Sequence, residues 1–172
     1  MLIFDLETNG LRGIADRIHC LVTYDTETDQ YETYNNEKDN HYPIHTGLQN
    51  LMLADSIAGH NVIDFDIPVA QSIYDWFKPA AQIIDTLLLS RLFHPNIRDI
   101  DDKHNWKFMP LQQYGRHSLE SYGYRLGEYK GNFSKTTDWK EWSQEMQDYC
   151  EQDVRITTKL CKHFHPYLTG AR

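Results

Sequence analysis

Residues 2 to 7, Leu-Ile-Phe-Asp-Leu-Glu, alternate with a period of two, so Leu2, Phe4 and Leu6 share one face and Ile3, Asp5 and Glu7 the other. This pattern predicts a strand. Residues 18–24 and 30–34 are rich in β-branched and aromatic side chains and flank Asp25-Thr26-Glu27-Thr28-Asp29, a run of turn formers; together they predict an antiparallel hairpin. Beyond it the spacing lengthens. A helix is expected over about 44–53, a short strand over 56–60, and a helix entering at Pro68, whose missing N–H is harmless in a first turn. Asp85 is a good N-cap for the helix written by Thr-Leu-Leu-Leu-Ser-Arg-Leu. Residues 94–116 read as a long polar excursion, Ser118–Tyr124 as a short helix ended by Gly127, and 143–164 as a long helix. Strands first and helices later predict an α/β fold, a mixed sheet flanked by helices, as a single domain over residues 1–172.

Composition narrows the class. A chain of 172 residues with 24% charged residues and 40% hydrophobic ones is neither disordered nor fibrous, and has the usual length of one domain. Its longest apolar runs, such as Leu87-Leu88-Leu89, fall far short of the ~20 residues that cross a bilayer. Met1 directly before a core strand leaves no room for a signal peptide, so a cytoplasmic protein without a membrane partner is expected. Cys20, Cys150 and Cys161, an odd number at irregular spacing, suit reduced thiols better than a disulfide framework. The net charge of −8 argues against a general binder of phosphate backbones.

The informative acids are those standing where apolar residues belong. In the last helix Met146, Tyr149, Asp153, Ile156, Leu160 and Phe164 follow one helical stripe, with Asp153 in its middle. A drift of the stripe would put Asp153 at a solvated margin. The first strand repeats the anomaly, since Asp5 and Glu7 share a face with Cα atoms roughly 6.5 to 7 Å apart. On an exposed strand end they would be unremarkable; on a central strand they repel each other unless cations neutralise them. Mg²⁺ or Mn²⁺, which prefer oxygen ligands, are the natural choice. A third acidic spot is Asp64-Phe65-Asp66-Ile67-Pro68, where Asp66 could also N-cap the following helix.

Taken in order, Asp5-x-Glu7 on an N-terminal strand, His60-Asn61 followed by Phe65-Asp66, and Tyr149-x-x-x-Asp153 on a late helix resemble the three motifs of the DEDD exonuclease superfamily, in its Tyr-type branch. Ile83-Ile84-Asp85-Thr86-Leu87-Leu88-Leu89-Ser90-Arg91-Leu92 and His117-Ser118-Leu119-Glu120-Ser121-Tyr122-Gly123-Tyr124-Arg125-Leu126-Gly127-Glu128 are similar to the proofreading domains of the family-A DNA polymerases of short-tailed bacteriophages. The likeness covers the whole chain. It implies a ribonuclease H-like fold and removal of nucleoside monophosphates from the 3′ end of single-stranded or frayed DNA, for proofreading in replication. It also implies two divalent cations, Mg²⁺ or Mn²⁺, with Asp5 bridging them, Glu7 and Asp153 completing the site of the attacking water, and Asp66 supporting the second ion. Asp64 is a rival to Asp66, which is preferred because it follows an aromatic residue and precedes Ile-Pro. Tyr149, one turn before Asp153, would orient the water; with a phenol pKa near 10 it is a poor base.

The same likeness assigns substrate contacts to Thr8, to Leu11 as a wedge between bases, and to Asn61; Leu11 could equally be core. From Tyr114 to Lys135 there are four Lys/Arg, two Glu and five aromatics, a local charge of +2 against −10 elsewhere, which suits a single strand. The chain carries no thumb, palm or fingers, so a DNA polymerase partner would be encoded separately or on the same longer chain. An exoribonuclease of the same fold, or an inactive polymerase- or nucleic-acid-binding module, are the alternatives; the latter predicts a missing ligand, and none is missing. Cys161-x-His163-x-His165 lacks the second ligand pair and helical spacing that a zinc site needs.

Overall fold

The computed structural model describes residues 1–37, 41–128 and 138–171. Strands β1 (Leu2–Thr8), β2 (Ile18–Asp25), β3 (Gln30–Asn35), β4 (Ser56–Gly59) and β5 (Gln82–Asp85) form one sheet in the order β3-β2-β1-β4-β5. β1, β2 and β3 make the expected antiparallel meander, and β4 and β5 lie parallel to β1 on its other side. The helices are α1 (Ile44–Leu53), α2 (Asp66–Ile73), α3 (Thr86–Phe93), α4 (Ile97–His104), α5 (Leu119–Leu126) and α6 (Gln144–Thr169). The expected α/β architecture, a mixed ribonuclease H-like sheet flanked by helices, is what forms.

β1 is central and covered on both faces. Phe4 and Leu6 pack with Ile44, Leu48 and Leu51 of α1 and Ile67 and Ala70 of α2. Ile3, on the opposite face, packs with Met146, Cys150 and Val154 of α6. α6 then turns a second apolar stripe, Ile156, Leu160 and Phe164, toward Ile97 of α4 and Leu119 and Tyr122 of α5. It is the middle layer between the sheet and α4 and α5, which is why it carries apolar residues on two sides. Ser143 caps its start by accepting the Met146 N–H, and it ends at Gly170, where φ is 68°. It runs past the expected 164 and contains Pro166. No helix among the described residues is long and apolar enough to cross a membrane.

The hairpin turn and the Gly127 stop of α5 stand as expected, while Ser118, expected inside that helix, caps it by accepting the Ser121 N–H. Other expectations need correction. The helix expected from Pro68 starts two residues earlier, and Asp66 is its first residue rather than its N-cap, which is Phe65. β4 ends at Gly59, where a Cβ would meet Val62 at 2.0 Å and the Phe4 carbonyl at 3.0 Å; only glycine lets the chain turn away there. The polar excursion over 94–116 contains α4, whose anchor is Asp101 rather than an apolar stripe. Asp101 is wholly buried and takes a two-pronged ion pair from Arg125 of α5 (2.9 and 2.7 Å), with further bonds from Trp106 Nε1 (3.0 Å) and the Gly115 N–H (2.8 Å). Burial alone would raise the Asp101 carboxyl, but these donors hold it below its usual range.

Asp101→Ala strands the Arg125 guanidinium in the interior, and about 3–5 kcal/mol of stability should be lost, on the order of 10 °C in Tm by calorimetry. Because the folded carboxyl titrates below the unfolded one, its contribution is full above about pH 4 and disappears as pH falls through the folded value. The gap in Tm between wild type and variant should therefore shrink on acidification.

Candidate active site

The acidic face of β1 opens into a cleft of about 640 Å³. Asp5, Glu7, Asn61, Asp66, Tyr149 and Asp153, which are 148 residues apart at the extremes, all line it. Asp5 and Glu7 project from β1 on the α6 side, each half-buried. Asp66 comes from the first turn of α2 and is 3% exposed; Asp153, 6% exposed, and Tyr149 come from one face of α6. Asp153 is therefore not at a solvated margin, and the Asp5–Glu7 strand end is not an open one.

Local backbone needs explain how Asp66 gets there. β1 pairs with β4 only at Leu2 and Ile3, because β4 turns off at Gly59. Beyond that point β4 no longer runs beside β1, and the Leu6 N–H donates to Asp66 Oδ1 at 3.2 Å. The loop before α2 is held by Asp85, whose carboxylate accepts the N–H groups of Asn61 (3.0 Å) and Ile63 (3.1 Å) as well as capping α3 through Leu87 (2.9 Å) and Leu88. Asn61 sits in the left-handed region at φ 68°, which asparagine tolerates. The N-cap role read for Asp85 is correct but is only half of its task. Asp64 points elsewhere: it is exposed and pairs with Arg12 at 2.6 Å.

The electrostatics are those of crowded acids. Burial raises the Asp66 carboxyl to about 7; the charges of Asp85 and Asp153 add to the effect, and the Leu6 N–H opposes it. Behind the pair on β1, the buried Cys150 thiol donates to the Asp5 carbonyl (3.3 Å) and to Asp5 Oδ2 (3.6 Å). Among the described residues, Asp5, Glu7 and Cys150 form a group whose donor atoms lie within 4.8 Å of one another. Burial pushes the Cys150 thiol well up, so it serves as a hydrogen-bond donor, and the carboxylates are the groups that could hold a cation. Hard oxygen donors, in a cleft that penalises their charge, fit a divalent ion such as Mg²⁺ or Mn²⁺.

A smaller cleft of about 270 Å³ opens beside the first, lined by Glu7, Thr8, Gly10, Leu11, Phe65 and Trp139. Leu11 is 72% exposed, so it is not core. The Trp139 ring stands edge-on to Tyr149 with centroids 6.4 Å apart. The basic-aromatic stretch divides on inspection. Tyr114 and Tyr122 are buried, Arg125 is spent on Asp101, and Arg116 lines the main cleft; Tyr129, Lys130, Phe133 and Lys135 lie outside the described residues. His163 meets His94 at 2.8 Å, and Cys161 packs against the sheet-side core, so no zinc site gathers there. Sequence reasoning did not single out Arg91, His117 or Trp139, which share the cleft wall; no spacing rule links them to the acids.

This cleft sits in the fold of the DEDD-type 3′–5′ exonucleases, and the resemblance read from the motifs stands. The chain is 30% identical to the DNA-directed DNA polymerase of Escherichia phage T7 over an alignment that covers 96% of this chain and 27% of the polymerase, and matches that of Enterobacteria phage T3 to the same extent. It thus spans about a quarter of the length of these relatives. No protein-family model matches it. Among solved structures, Brucella melitensis NrnC with bound Mg²⁺ superposes with a TM-score of 0.64 at 18% identity, over 99% of this chain and 74% of that one. Escherichia coli ExoI in its zinc-bound complex with single-stranded DNA gives 0.54 at 16%, over 99% and 42%. Escherichia coli RNase D, an exoribonuclease involved in structured RNA processing, gives 0.52 at 16%, over 92% and 38%.

Asp66→Asn keeps an acceptor for Leu6 but removes a buried charge. With a raised folded pKa, native stability falls as pH climbs from about 4 to about 7. In chelator at pH 8 the variant should therefore be more stable by about 1–3 kcal/mol, a few degrees in Tm, and the gain should vanish near pH 4.

Proposed function

We propose that the chain is a divalent-metal-dependent 3′–5′ exonuclease that removes nucleoside monophosphates from single-stranded or frayed DNA, acting in proofreading beside a DNA polymerase in the cytoplasm where the DNA is copied. The observation that carries this reading is the convergence of Asp5, Glu7, Asp66, Asp153 and Tyr149 in one cleft. The similarity to phage polymerases and the fold shared with a single-strand-bound exonuclease support DNA as the substrate.

Asp5, Glu7, Asp66 and Asp153 would hold two divalent ions, with Asp5 serving both. Once bound, such a pair acidifies the attacking water and stabilises charge on the phosphoryl and leaving oxygens. The oxygen of water bonds to phosphorus as the bond to the penultimate 3′ oxygen breaks, and that oxygen ends protonated. The Tyr149 hydroxyl, one turn from Asp153, orients the water rather than deprotonating it, given a phenol pKa near 10. Thr8 and Leu11 line the side cleft, where the last nucleotide is received, and Asn61 borders the main cleft near Asp66.

The shared fold of RNase D favours a second reading, an exoribonuclease acting by the same chemistry. One experiment separates them. With Mg²⁺ or Mn²⁺, 5′-labelled DNA should shorten by single nucleotides while a matched RNA strand is cut more slowly; internal cuts, or activity that survives EDTA, would refute the exonuclease. Asp5→Ala should slow turnover by about a thousandfold with an unchanged circular dichroism spectrum, the several kcal/mol that bound ions contribute. Asp66→Ala should be comparably slow and Asp64→Ala within about twofold of wild type; the reverse order would move the second motif to Asp64.

A further inference from the structure

His117 lies just before α5, half-buried, on the cleft wall it shares with Arg91 and Arg116. Its Nδ1 meets Ser90 Oγ at 2.5 Å, and the same Ser90 oxygen meets the Tyr122 hydroxyl. Ser90 and Tyr122 are both buried, and the Arg125 guanidinium lies 4.8 Å from the Tyr122 ring centroid. The direction of this chain of hydrogen bonds follows from its end. Were the protons reversed, the buried phenol would need another acceptor, and the guanidinium beside it offers donors only. Tyr122 therefore donates to Ser90, Ser90 donates to His117 Nδ1, and the imidazole proton sits on Nε2. Burial, with Arg125 and Arg91 adding to it and Asp101 opposing, holds His117 below its usual pKa, which keeps the ring neutral at pH 7.

We propose that His117 contacts the substrate strand, its Nε2–H donating to a phosphodiester oxygen in the cleft, and that Ser90 and Tyr122 are positioning residues that fix its tautomer. Two arginines on the same wall make a phosphate the fitting acceptor. Asp101 serves the same end, since it fixes Arg125 behind Tyr122 and also the Gly115 N–H two residues before His117.

The inference rests on the proposed strand-binding cleft, and the test separates the two. Binding of a fluorescein-labelled oligothymidylate is followed by anisotropy in EDTA, where no turnover is needed, and kcat and KM are measured separately with Mg²⁺. His117→Ala should weaken binding about tenfold, the cost of one hydrogen bond to a charged oxygen, with the loss falling on KM rather than kcat. His117→Gln, whose amide reaches the Nε2 position, should recover most of it, and Ser90→Ala should lose about threefold. Because the donor is neutral, His117→Ala should leave the slope of log Kd against log salt unchanged, whereas Arg116→Ala should lower it. Wild-type affinity in His117→Ala, a loss confined to kcat, or a salt slope reduced like that of Arg116→Ala would each overturn the proposal. Absence of turnover in an enzyme that still binds through His117 would refute the exonuclease reading alone.

Discussion

Four carboxylates share a cleft whose floor is a strand covered by helices on both faces, and their mutual repulsion is the constraint on which the site depends. On an exposed strand, water would relieve Asp5 and Glu7; beneath α6 it cannot do so fully. Asp66 shows the same penalty at the next position: burial raises its carboxyl, and the charges of Asp85 and Asp153 add to the effect. Backbone N–H and thiol donors from Leu6 and Cys150 reduce it without removing it. What remains is a concentration of buried negative charge where β1, α2 and α6 meet.

Two other buried acids show that burial alone does not make such a demand. Asp85 spends both oxygens on N–H groups of its own helix and of the loop leading to Asp66. Asp101 is matched by Arg125, Trp106 and Gly115. These two are satisfied and act as fasteners: one sets the loop that presents Asp66, the other the segment that presents Arg116 and His117. The cleft thus has an acidic wall under electrostatic tension and a second wall whose side chains are held by satisfied networks.

Much of this was legible in the sequence because it follows period and motif. Alternation identified β1 and its acidic face, the turn formers set the hairpin, and an aspartate in the apolar stripe of α6 marked Asp153. The rest was hidden for definite reasons. β5 is four residues long, too short for alternation to register. α4 buries only Ile97 and Asp101, so an ion pair replaces the apolar face that periodicity detects. A partner 24 residues away in the chain, Arg125, supplies that anchor, and in the sequence Arg125 counts only as one of four Lys/Arg in a stretch suited to a single strand. His117 owes its place in the cleft to tertiary packing, which no spacing reveals, and Leu11 was reached only through the family resemblance.

The acid excess, which first argues against a nucleic-acid partner, is partly the charge of four carboxylates gathered in one cleft. The most direct test of that view counts ions rather than products. Titration with Mn²⁺, followed by the free-ion electron paramagnetic resonance signal, should show two ions held per chain, with Asp5→Asn losing both and Asp64→Asn losing neither. Mn²⁺ binding that is indifferent to Asp5→Asn would contradict the account, because the four carboxylates would then not form one site.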